Sequence, residues 1–142
     1  MFDSYDEEAA RWCEAVANRT REVDQAYLSE VRRSTLRCLR KSLPSDVRAQ
    51  VADLLPSSVR ELWLDGWTPD ERVEPCATTE HLVSCVRPFV KEHHADAVIE
   101  EDVLAVTQTF FAHWPAAQPL AQPHLPADLF GATSEQGEQP IA

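Results

Sequence analysis

The sequence predicts an all-α fold, a compact helical bundle of two pseudo-repeated helical halves whose second half is degenerate and proline-rich at its end. Three observations carry this. Apolar residues recur at intervals of three and four while no window alternates as a strand would. Prolines stand where the periodic stretches stop. Gly66, Gly131 and Gly137 are the only glycines, which leaves no GxGxxG or GxxxxGK loop to cradle a phosphate and excludes most nucleotide-binding enzyme templates. A chain of 142 residues with 44% apolar content is enough for one core, expected over residues 1–130 with half-repeats at about 5–67 and 79–130.

Ser4 and Glu7 have capping-box spacing, and Ala9, Trp12, Cys13, Val16 and Ala17 follow at helical intervals, giving a first helix near 5–20. Asp24 can cap a longer second helix, in which Leu28, Val31, Thr35, Leu36, Cys38, Leu39 and Leu43 fall within an arc of about 160° at 100° per residue. That helix stops at Leu43-Pro44, because proline disfavours helix in the residue before it. SDVRAQVADLL is a short helix with Val47, Val51 and Leu54 on one side, ended by Pro56, and SSVRELWL is another, with Gly66 suited to its C′ position. WTPDERVEPCATT has the composition of a connector.

From Thr79 a helix is expected to about His93, kinked or interrupted at Pro88, followed by another from about Val98 to His113. Pro115, Pro119, Pro123 and Pro126 would each break an α-helix, so extended or turn structure is expected there, anchored by Leu120, Leu125, Leu129 and Phe130. Residues 131–142 offer almost nothing to bury and are expected to be a disordered tail.

The two halves can be laid over one another. Cys13 falls on Cys85, Leu43-Pro44 on Trp114-Pro115 and Leu55-Pro56 on Leu125-Pro126, at offsets of 72, 71 and 70 residues. Within the first half, Leu36, Arg37, Leu39 and Leu43 lead into a short acidic helix at Asp46 to Leu54, then Leu55-Pro56, then Gly66-Trp67. This order resembles the family filed as domain of unknown function 2267 (DUF2267), most firmly over residues 26–67. The resemblance implies an all-helical domain, carries no assigned activity and transfers no catalytic residue. It also implies a helix where this chain has Pro115, Pro119 and Pro123.

Charge narrows the function further. Thirteen Lys and Arg stand against 24 Asp and Glu, a net −11, which repels nucleic acid and anionic lipid at long range, so neither nucleic acid nor membrane is an expected partner. No run approaches the length of a membrane span and the N-terminal residues lack the pattern of a signal peptide, so a cytoplasmic protein is expected. Cys13, Cys38, Cys76 and Cys85 show no CxxC spacing and read most simply as buried small apolar residues.

The basic residues are not spread evenly. Residues 19–48 carry a net +4 and the rest of the chain −15. Arg33, Arg37, Arg40 and Lys41 cluster opposite the apolar arc, either to receive an acidic protein partner or a second copy, or to meet acidic helices of the same fold. Arg32 falls inside the arc, where its stem can pack while its guanidinium reaches water, or it can pair with a buried carboxylate. Trp63 and Trp67 read as core and lid.

Cys76, His81 and Cys85 form CxxxxHxxxC, a spacing compatible with zinc if His93 or His94 completed it, although it matches no known finger. His93-His94 with Asp96 could hold an acid/base pair, but adjacent residues point to different sides of a helix. No nucleophile elbow occurs and no catalytic residue or cofactor is assigned. The expected function is a non-enzymatic protein-interaction or regulatory module, with a metal- or small-ligand-binding protein as the alternative.

Overall fold

The computed structural model of the chain describes residues 4–20, 24–90 and 96–130. The expected tail at 131–142 and the His93-His94 pair lie outside these residues. Among them there is no strand, and the α-helices run α1 (Ser4–Arg19), α2 (Gln25–Lys41), α3 (Ser45–Ala52), α4 (Ser57–Leu64), α5 (Thr79–Val86), α6 (Asp96–His113) and α7 (Gln118–Ala121).

α2 is the central helix, packed by α6, α4 and α5, while α1 lies on α6 and α4. Asp24 caps it as expected, its Oδ1 accepting from the amides of Ala26 and Tyr27. Every residue of its expected apolar arc is buried, and Leu43-Pro44 ends it. Arg32, within that arc, is half-buried, as a snorkelling side chain would be. Gly66 follows α4 with a φ of 78°, the left-handed C′ conformation, and the amide of Trp67 closes the turn on the carbonyl of Leu64.

Among the described residues, one apolar cluster runs from Trp12 in α1 to Leu129. Its centre is aromatic: Phe110 stacks on Trp63 at 5.8 Å and meets Trp12 edge-on at 5.9 Å. Both indole N–H groups are used, Trp12 donating to Thr109 Oγ1 and Trp63 to the carbonyl of Arg48. Trp63 is therefore core, as expected, and the half-buried Trp67 covers Arg48 from outside.

Pro88 interrupts α5 as anticipated, converting its end into a 3-10 turn at Arg87–Phe89. In the last segment, where extended or turn structure is expected, the chain takes the turn form, with one short helix among the turns. Residues 115–130 are a staircase of 3-10 turns (Pro115–Ala117, Gln122–His124 and Ala127–Phe130) around the four-residue α7. Pro115, Pro119 and Pro123 stand at the first or second position of their turns, where the absent N–H has no acceptor to lose. Short helices restarted at each proline thus replace one long one, and bury Ala117, Ala121, Leu125 and Leu129 against the core.

Candidate functional site

The basic residues of α2 separate into a buried group and an exposed one. Of Arg33, Arg37, Arg40 and Lys41, expected either to meet a partner or to match acidic parts of the same fold, Arg40 takes the internal match and leaves the partner surface: its side chain is 1% exposed. Its guanidinium donates to Glu71 at 2.6 and 3.1 Å and to the carbonyls of Trp63 and Asp65 at 2.9 and 2.7 Å. Arg48, fully buried on α3, reaches the same carboxylate at 3.0 Å and donates to the carbonyl of Leu43 at 2.8 Å. Two guanidiniums share one carboxylate out of water. Burial lowers the pKa of Arg48, with Glu71 opposing that shift and Arg40 adding to it.

This cluster fastens the connector 67–78, which carries no helix of its own, over the ends of α2 and α4. The amide of Glu74 adds a 2.7 Å bond to the carbonyl of Lys41. Arg40 is thus removed from any partner surface because the connector folds back on it, a non-local event that a helical wheel does not contain. Lys41 stays half-buried beside it.

Arg33 and Arg37 remain at the surface. Both reach Asp65 Oδ2, Arg37 at 2.9 Å and Arg33 at 3.5 Å, and the Arg33 side chain is 52% exposed. The guanidinium of Arg37 also lies 5.1 Å from the ring centre of Phe89, which the 3-10 turn after α5 leaves 40% exposed. The result is a ledge: a cationic edge from α2, an exposed aromatic ring from the following half, and a shallow hollow beside Arg33 lined by Ser58, Glu61, Leu62 and Asp65.

The cysteines sort differently from expectation. Cys38 and Cys85 form a disulfide between α2 and α5 across 47 residues of sequence, while Cys13 and Cys76 are free. The CxxxxHxxxC set is therefore not assembled: the sulfur of Cys85 is bonded to Cys38, His81 is exposed on α5, and Cys76 is buried. Among the described residues, no three His, Cys, Asp or Glu side chains converge as metal ligands. Cys76 lies in a cleft of about 360 Å³ lined by Ser42, Pro44, Val73, Leu125 and Pro126, among others. Burial raises the Cys76 pKa, opposed by a hydrogen bond to Ser42 and reinforced by Glu74, so the thiol stays protonated and a poor nucleophile at neutral pH.

Helices around one aromatic centre, with no strand among the described residues, define the class as an all-α bundle. The chain belongs to the family described as an uncharacterized conserved protein (DUF2267), whose model matches residues 9–130. No curated protein matches it. No described helix is long and apolar enough to cross a membrane.

Proposed function

We propose that this is a non-enzymatic protein-interaction module of the cytoplasm whose ledge receives an acidic segment of a partner protein. The observation that carries the reading is the exposed Phe89 ring held against Arg37, with the half-exposed Arg33 alongside, on a chain of net charge −11. Arg33 is held by little at 3.5 Å and half exposure, since exposed ion pairs contribute about 0–1 kcal/mol, so an incoming carboxylate can take it over at small cost. Phe89 offers apolar area to a neighbouring aliphatic side chain, and the acidic remainder of the surface repels carboxylates elsewhere.

The test is fluorescence anisotropy with a labelled peptide of about 12 alternating acidic residues and leucines, titrated at low salt. Arg33→Glu and Phe89→Ala should each weaken binding about tenfold, and salt should weaken it further. Equal affinity in wild type and both variants would reject the ledge. A dimer in sedimentation that Arg33→Glu dissolves would put a second copy there instead.

A further inference from the structure

We infer that the Cys38–Cys85 disulfide is a redox-operated clamp on the ledge, holding its two sides together when oxidised and loosening them when reduced. The inference deepens the docking reading and rests on it for the consequence, though the clamp itself has an independent readout.

The placement of the two cysteines carries the argument. Cys38 directly follows Arg37 on α2, and Cys85 lies near the end of α5, which passes straight into the 3-10 turn bearing Phe89. The bond therefore joins the helix that supplies the cation to the segment that supplies the ring. α5 has eight residues, too few to be helical without support from its surroundings. Its anchors are Leu82, Val83 and Val86, buried against the core, together with this covalent tie. Phe89 has no such burial of its own.

Access favours one direction of attack. Cys38 is 1% exposed, whereas Cys85 is partly exposed. A thiolate of a small dithiol reductant attacks the Cys85 sulfur, breaking the S–S bond and releasing Cys38 as a thiolate that takes up a proton. The reductant's second thiol then displaces Cys85 from the mixed disulfide. Two electrons and two protons pass to the protein, which ends with two thiols, and the reductant ends as a disulfide. Cys76 competes poorly for exchange because it is buried and protonated. A bond of this kind in a reducing compartment is transient and suited to sensing, and the two thiols left behind are small apolar groups that the core tolerates.

Four measurements on the full chain test the clamp and its consequence. Thiol titration in denaturant should rise from two to four groups on treatment with dithiothreitol. The melting midpoint should fall by on the order of 10 °C on reduction. Amide hydrogen exchange over 79–90 should accelerate about tenfold or more on reduction, while α6 stays protected. The oxidised protein should bind the acidic peptide about fivefold tighter than the reduced one. A Cys38→Ala/Cys85→Ala variant should lose this response to dithiothreitol; if it fails to fold, the wild-type comparison decides alone. Unchanged exchange over 79–90 and an unchanged midpoint after reduction would overturn the clamp, whatever the peptide does. Faster exchange with no peptide bound in either state would uphold the clamp and reject the docking reading.

Discussion

The hydroxyl of Tyr27 lies 2.6 Å from Oδ2 of Asp102, donating a hydrogen bond from α2 to α6 with both side chains out of water. It joins the first half of the chain to the second at the opposite end of α2 from the Arg40 cluster. Tyr27→Phe keeps the ring and removes the donor, so it should destabilise the fold by about 1–3 kcal/mol. Urea melts of the two proteins give the value, and coincident midpoints would show that this bond contributes nothing net.

Glu71→Ala leaves Arg40 and Arg48 buried without their shared carboxylate. The expected loss is about 3–5 kcal/mol, the usual consequence of an uncompensated buried charge. Glu71→Gln retains acceptor geometry but not the charge and should fall in between. Faster hydrogen exchange over residues 67–78 in both variants would locate the damage in the connector, and an unaltered connector would contradict its fastening by this cluster.

Gly66→Ala tests the turn after α4. A φ of 78° disfavours any Cβ, and the added methyl would come within 3.4 Å of Arg37 Nη2, the end of a flexible side chain that can yield. The backbone conformation therefore dominates, with an expected cost of about 1–2 kcal/mol. Calorimetry of the variant would measure it directly.

Potassium chloride should stabilise the fold. The excess carboxylates repel one another over a Debye length of about 30 Å at 0.01 M, shrinking to about 3 Å at 1 M. The tightest attractions, Arg40 and Arg48 to Glu71, are buried and barely screened, whereas exposed pairs such as Arg11–Glu7 have little to lose. Thermal midpoints should rise from 10 mM to 1 M salt, and a steady fall would mean that exposed attractions outweigh the repulsion.

Local signals were legible in the sequence and non-local ones were not. The arc of α2, the Asp24 cap, the stop at Pro44, the break at Pro88 and the turn at Gly66 depend on residues within a few positions of one another, and the structure has each of them. Which member of the basic cluster is matched internally is not legible locally, because the burial of Arg40 depends on Glu71, 31 positions away in a connector without periodicity. Spacing groups Cys85 with its sequence neighbours Cys76 and His81, while the structure bonds it to Cys38. Phe89 carries no signal in the sequence, since a lone aromatic beside a proline gives no sign of exposure. The prolines of 115–126 break a continuous α-helix and leave extended or turn structure open; Pro115, Pro119 and Pro123, four residues apart, decide for turns because each stands at the start of one.

That spacing bears on the unfolded chain as much as on the folded one. Pro115, Pro119, Pro123 and Pro126 each fix a φ angle before folding begins, so the segment covering Phe111 and Trp114 has fewer disordered conformations to surrender than a glycine- or serine-rich cover would. At about 0.4–1 kcal/mol for each compatible proline, the four together restrict the denatured ensemble by roughly 2–4 kcal/mol. A segment that buries only a small residue or a leucine at each step can close the core because much of its ordering is already built into its covalent structure.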